Sequence, residues 1–182
     1  MGDVRAVVDV RPGKSGRMRG RTGPPVDDER RWAVLADLYR REQPAMLRLA
    51  CLLVGDAAAA EELVQDAFVR VQARVLEVDE PGAYLRTTVV NQCLGHRRKR
   101  VVRERHRPDR PEPSAAPDLP ADLSPVWLAL QQLPERQRDA IVLRYYLDLP
   151  DAEIAALLGA RVGTVASLIH RGLAGLRKEL TP

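Results

Sequence analysis

Between residues 107 and 125 the chain carries Pro108, Pro111, Pro113, Pro117, Pro120 and Pro125, six of its fourteen prolines. Each proline fixes φ, removes a backbone donor and clashes with a preceding helical turn, so neither a helix nor a central strand survives that density. The segment over 107–123 reads as a partly extended linker. It divides 182 residues into two stretches, each the size of a small domain. Within both, alanine, leucine and arginine dominate and aromatics make up only 4%. That composition favours helices and leaves little for a β-sandwich. No strand pattern and no internal repeat is present, so the fold class expected is all-α, in two small helical domains.

Residues 1–27 are rich in Gly, Arg and Pro and read as a disordered basic extension. From Asp28 the apolar positions Leu35, Leu38, Tyr39, Met46, Leu49 and Leu53 recur at helical spacing. Pro44 inside this run predicts a bend. Gly55 ends the helix and Asp56 caps the next, over about 57–75. Its inward stripe is Ala60, Leu63, Val64, Ala67, Phe68 and Val71; Glu61, Glu62, Gln65, Asp66 and Arg70 lie off it. Pro81 opens a third helix with Tyr84, Leu85, Thr88, Val89, Gln92 and Cys93 on inward turns.

The second stretch begins near Ser124. Val126, Leu128, Leu130 and Leu133 predict a short helix, and Pro134 opens another through Ile141, Val142, Tyr145 and Tyr146. A helix over 150–158 stops at Gly159, and a last one runs from Val162 to Leu180. Glycine permits the left-handed residue that joins two helices steeply. On the last helix Val165, Ile169, Leu173, Leu176 and Leu180 are expected to face inward, with Thr164, Ser167, Arg171 and Lys178 outward and His170 beside them. Short polar groups early on such a helix suit base edges, and arginines suit phosphates. Spacing alone fits an ordinary packed helical hairpin equally well.

The formal charge is +4, so distribution matters more than the total. Arg97, Arg98, Lys99, Arg100, Arg103, Arg105 and Arg107 stand against Glu104 alone at the end of the third helix. They fit a phosphate track, or a solvated helix end favoured by the dipole. The acidic side of the second helix repels nucleic acid and suits a protein partner, or plain solvent. Cys51, Cys93, His96, His106 and His170 have no metal-ligand spacing, and two cysteines make no disulfide framework. No metal and no cofactor is expected, and buried free thiols fit a reducing cytosol. No phosphate loop or nucleophile motif is present, so no catalytic residue is named. No apolar run reaches the ~18 residues of a membrane span.

Together these residues resemble the extracytoplasmic-function sigma factors of bacterial RNA polymerase. Gly55-Asp56 followed by Ala60-Glu61-Glu62-Leu63-Val64-Gln65-Asp66-Ala67-Phe68 looks like the family's region 2.2. Pro81-Gly82-Ala83-Tyr84-Leu85-Arg86, then Asn91 and Arg97-Arg98, looks like regions 2.3 and 2.4. Leu133-Pro134-Glu135-Arg136-Gln137-Arg138, then Glu153-Ile154-Ala155, Leu158-Gly159 and Gly163-Thr164-Val165, looks like region 4. The likeness covers 28–106 and 124–180, in family order, on either side of the linker.

The resemblance implies two domains, region 2 over 28–106 and region 4 over 124–182, and a cytoplasmic, non-catalytic specificity subunit. Glu62, Gln65, Asp66 and Arg70 are expected to meet the β′ clamp helices of core RNA polymerase, and region 4 the β flap. Tyr84, Asn91, Arg97, Arg98, Lys99 and Arg100 are expected at the minus-10 element, where region 2 opens the duplex and holds an unstacked base. Tyr84 also fits a core position. Arg161, Thr164, Ser167, His170, Arg171 and Lys178 are expected on the minus-35 duplex. An anti-sigma factor is an expected partner. Two small domains on a loose linker imply a mobile free state. Ala166 and Leu168 stand where the family commonly has basic residues, so two contacts are expected to be missing. Ala160 replaces a frequent capping Ser, so the last helix is expected to fray at its start. The competing reading is a stand-alone helix–turn–helix regulator, which needs a dimer to present two half-sites.

Overall fold

A computed structural model describes residues 25–104 and 124–180. The expected N-terminal extension (up to residue 24), the linker, and the side chains of Arg103, Arg105 and Arg107 lie outside the described residues. Every described element is helical. Helix α1 (Pro25–Val54) starts three residues before Asp28. A proline at the first helical position loses no bond, and Asp27 and Asp28 in the first turn complement the dipole. The helix runs on through the exposed Pro44. It stops at Gly55, whose φ of +77° is left-handed and whose N–H donates to the Cys51 carbonyl at 2.9 Å. Asp56 then accepts the Ala59 N–H at 2.9 Å and caps α2 (Ala57–Gln72). That helix ends three residues earlier than its sequence pattern predicts. Helix α3 (Pro81–Glu104) opens at Pro81 as expected.

Helices α1, α2 and α3 pack against one another. Leu38, Met46, Leu49 and Leu53 meet Val64, Phe68 and Val71 from α2 and Leu85, Val89 and Cys93 from α3. Each such side chain contributes roughly 1.5–3 kcal/mol when fully buried. Cys51 and Cys93 are free and buried. Burial pushes their thiols up to about 11 and about 12.

The second unit comprises α4 (Ser124–Gln132), α5 (Glu135–Ile141), a π-helical turn (Val142–Tyr146), α6 (Asp151–Leu158) and α7 (Val162–Leu180). In α4 the residues facing the core are Trp127, Leu130 and, just past its end, Leu133. Val126 and Leu128, on the same predicted helix, are exposed. Helices α6 and α7 meet at 97°, within the range of a helix–turn–helix. Gly159, at φ +57°, makes that corner. Ala160 belongs to the end of α6, where its N–H donates to the Ala155 carbonyl at 2.9 Å. The residue preceding α7 is Arg161.

The inward face of α7 differs from the expected stripe. Val165, Leu168 and Gly172 are buried, Ile169 and Leu176 half-buried, and Leu173 and Leu180 exposed. At about 100° per residue the first five share roughly a 100° arc, while Leu173 and Leu180 fall beyond its edge. Leu173 instead lines an apolar cavity between the units, with Leu52, Trp127 and Tyr145.

The two units also touch. Val142, Leu143, Ile154, Ala155 and Val165 belong to one continuous buried cluster with the cores of α1, α2 and α3. The Tyr146 hydroxyl donates to the Ala45 carbonyl at 3.1 Å. The mobile, separated pair expected from two small domains is here a docked pair, because apolar surface left over on α1 is covered by the second unit.

Candidate nucleic-acid and polymerase interface

On α2 the inward positions are spent on the core, so Glu61, Glu62, Gln65, Asp66 and Arg70 all face solvent. Val69 joins them and is 66% exposed. Glu62, Gln65, Asp66 and Val69 are spaced 3, 1 and 3, so they form one stripe. The sequence pattern signals Val69 only by its absence from the buried stripe. Arg70 is steadied from α3: with its amide turned to satisfy both ends, Gln92 donates to the Leu63 carbonyl at 3.0 Å and accepts from Arg70 Nε at 3.2 Å.

On α3, Tyr84, Asn91 and Arg98 are seven residues apart, about two turns each, and fall along one side of the helix. Asn91, Arg98 and Lys99 are exposed. Tyr84 is half-buried at the edge of the core, with the Arg74 guanidinium 5.8 Å from its ring centroid. It therefore has both a packing role and an accessible edge.

Arg97 and Arg100 depart from the exposed basic run expected of them. Arg97 is only 4% exposed. Its Nη1 donates to the Leu53 carbonyl at 3.1 Å and is paired with Asp139, while its Nη2 lies 2.9 Å from Glu135. Half-buried Arg100 places Nη2 3.0 Å from the same Glu135. Both cations are thus directed into the second unit, because Arg97 sits on the side of α3 that faces α1 and α5. Burial works to raise the Glu135 carboxyl, but the hydrogen bond and charge of Arg97, with Arg100 and Arg138, outweigh it and hold the group below its ordinary value. Burial pushes Asp139 up to about 6 against the pull of Arg97. It also lowers Arg138 to about 10, helped by the charge of Arg97. Nothing in the sequence marks Asp139, which lies forty-two positions from Arg97.

On α7, Thr164, Ser167, His170, Arg171 and Lys178 are all exposed, as is Arg161 just before it. Ser167, His170 and Arg171 line a shallow concavity with Ala166. Ser167 donates its hydroxyl to the Gly163 carbonyl at 3.0 Å, and Arg171 donates Nε to the Ser167 carbonyl at 3.2 Å. Those bonds hold the side chains along the helix surface. The two departures from the family pattern separate here. Ala166 is exposed and presents no polar group, whereas Leu168 is buried and packs the core. A basic side chain at 168 in this packing would be shut away from solvent. Among the described residues, no three His, Cys, Asp or Glu side chains gather as a metal site, and no single helix is long and apolar enough to cross a membrane.

Comparison with known proteins places these surfaces in a family. Residues 38–102 match sigma-70 region 2, and residues 123–176 match sigma-70 region 4. The RNA polymerase sigma-E factor of Streptomyces coelicolor is 36% identical over 149 residues, covering 79% of this chain and 84% of that protein. The ECF RNA polymerase sigma factor SigL of Mycobacterium tuberculosis is 31% identical over 158 residues, covering 81% and 89%. Among solved structures, the fold resembles a chain of the co-crystal structure of the sigma factor RpoE with the anti-sigma factor NepR from Bartonella quintana. That likeness has a TM-score of 0.63 and 25% identity, covering 85% of this chain and 96% of that one. The chain belongs to the extracytoplasmic-function sigma factors, the subunits that bind core RNA polymerase and direct it to promoters.

Proposed function

We propose a division of labour among the surfaces of this sigma factor. The α2 stripe of Glu62, Gln65, Asp66, Val69 and Arg70 docks on the β′ clamp helices, and the second unit reaches the β flap. Tyr84, Asn91, Arg98 and Lys99 engage the minus-10 element, with Arg97 and Arg100 joining them when the units part. The Asn91 amide hydrogen-bonds an unstacked base, and the free edge of Tyr84 stacks on one. Arg161, Thr164, Ser167, His170, Arg171 and Lys178 contact the minus-35 duplex, polar groups at base edges and cations at phosphates. The domain boundaries follow: region 2 over 28–106, a linker over 107–123 and region 4 over 124–182. The polymerase performs the chemistry, this chain contributes no catalytic group, and both work in the cytoplasm. The anti-sigma complex among its structural neighbours supports an anti-sigma partner for this chain too.

The observation that carries the reading is the sorting of charge by helix. The acidic stripe lies on α2 and the polar and basic face of α7 is exposed, while on α3 Asn91, Arg98 and Lys99 are exposed and Tyr84, Arg97 and Arg100 are wholly or partly buried. The test is co-elution of the full chain with core polymerase, followed by open-complex formation on promoter DNA. Asn91→Ala should leave co-elution intact and lower open-complex formation about tenfold, the value of one lost hydrogen bond to a base. Normal melting by that variant removes Asn91 from the site. Failure of the folded chain to co-elute, together with an unaided duplex shift as a dimer, sinks the whole assignment.

A further inference from the structure

Gln92 reaches from α3 into the side of α2. Its amide nitrogen donates to the Leu63 carbonyl at 3.0 Å, and its oxygen accepts from the Ala67 N–H and from Arg70 Nε, each at 3.2 Å. Leu63 and Ala67 are four residues apart, so that carbonyl and that N–H are already partners in the helical ladder. The amide straddles their bond and adds a second partner at each end. Loss of Gln92 therefore orphans neither backbone group. The Arg70 contact is different, because no helical bond supplies it.

Gln92 is half-buried, whereas Arg70 is exposed in the last turn of α2. The helix dipole favours a cation at that end, but it does not select where the side chain points. An i,i+4 pair would turn Arg70 back along its own helix toward Asp66. Instead its Nε is held by an acceptor on α3. Two backbone groups of α2 hold the amide, so its oxygen is fixed in place. A guanidinium is planar and rigid, and holding Nε therefore sets the plane of the whole fork. That leaves the two terminal nitrogens to meet a partner's carboxylate.

We propose that Gln92 is a positioning residue for polymerase docking: from α3 it holds the Arg70 fork in its binding-ready orientation on the α2 stripe, aimed at a carboxylate of the partner. The proposal rests on the assignment of that stripe to core polymerase. Ordering a long side chain at the moment of binding costs affinity, and a fork ordered beforehand avoids a loss of about threefold to tenfold.

The test is a double-mutant cycle on the affinity of the full chain for core polymerase. Gln92→Met keeps the length of the side chain and removes the amide. It should weaken binding about threefold to tenfold where Arg70 is present. In the Arg70→Met background it should change binding by less than about twofold, the spread of ordinary additivity. A side chain that merely ties α3 to α2 would weaken both backgrounds equally, and that result overturns the proposal, as does full affinity in Gln92→Met alone. Gln92→Glu keeps both acceptor contacts and loses only the bond to Leu63, so it should bind within about twofold of the unaltered protein. A loss as large as that of Gln92→Met overturns the role of the acceptor. Unchanged affinity in Arg70→Met overturns the proposal by another route, because the failure then belongs to the stripe assignment. Nuclear magnetic resonance of the unaltered protein gives a readout that survives if a variant fails to fold. At mildly acidic pH the Arg70 Nε–H should exchange with water about tenfold more slowly than that of the exposed Arg48. Equal rates overturn the contact itself.

Discussion

Gly172 is half-way along α7, where a helix ordinarily prefers alanine by ~1 kcal/mol. A Cβ there would lie 2.6 Å from Ile141 Cδ1 and 3.3 Å from Gln137 Cβ. Overpacking a fitted site costs ~1–3 kcal/mol, which exceeds the propensity gain. Gly172→Ala should therefore lower stability by about 1 kcal/mol net. Gly163→Ala, in open space on the same helix, should raise it by a few tenths to ~1 kcal/mol. Urea midpoints at unchanged m-value decide this, and equal stabilisation by both changes contradicts the close approach. The thiols give a second prediction. Burial raises Cys51 to about 11 and Cys93 to about 12, above an ordinary cysteine near 9. Above that value the unfolded chain loses protons that the folded chain keeps. The contribution is fully present below about pH 9 and is lost as pH rises through the folded values. Urea midpoints should fall between pH 9 and 11 in the unaltered protein, and fall less in Cys51→Ala with Cys93→Ala. Residue roles are legible in the sequence only where a side chain announces them. Leu168 is an apolar residue at a position the family pattern marks as basic, and it packs the core. Gly172 has no side chain to enter a hydrophobic pattern, so the centre of the α7 face is invisible, and the stripe drawn through Leu173 and Leu180 drifts off it.

The ends of the elements follow local chemistry that the sequence carries openly. Pro81, Gly55, Asp56 and Gly159 each do at a boundary what their backbone preferences dictate, and the corresponding helices begin or end there. Where no such residue stands, the boundary is hidden. The early end of α2 at Gln72 and the π-helical turn after Ile141 carry no such residue. The α2 stripe is the element on which the polymerase assignment turns. Gln65→Lys with Asp66→Lys reverses its charge without touching a buried position, so thermal stability should hold to within ~0.5 kcal/mol. Affinity for core polymerase should fall about tenfold or more, since like charges opposed across an interface cost several kcal/mol. Val69→Ala, also at an exposed position, should cost binding ~1 kcal/mol and stability almost nothing. Unchanged co-elution of both variants would mean that this face is merely solvated.

At the scale of the molecule, the proline-rich segment leads one to expect two separately folded halves, and the folded chain joins them. Periodicity identifies the core face of α1, α2 and α3, and only part of it on α7, but carries no information about which helices share a core. The pairing of Arg97 with Asp139, and of Leu38 with Leu143 and Ile154 in one buried cluster, arises from contacts between distant stretches that no local pattern encodes. A consequence for folding follows. If the first unit loses its structure, the second exposes the apolar side chains of Val142, Leu143 and Val165 that it shares with α1, α2 and α3. Each exposed side chain of that size costs roughly 1.5–3 kcal/mol, a large part of the ~5–15 kcal/mol that holds an ordinary domain folded. Neither half should therefore persist while the other is unfolded. Calorimetry at neutral pH should give one transition, with calorimetric and van't Hoff enthalpies equal. Glu135→Arg, which removes the ionic part of the contact and leaves the shared apolar cluster in place, should lower the transition temperature and keep a single transition. Two resolved transitions in the unaltered protein would show that the halves are stable alone, and that the shared cluster adds little to either.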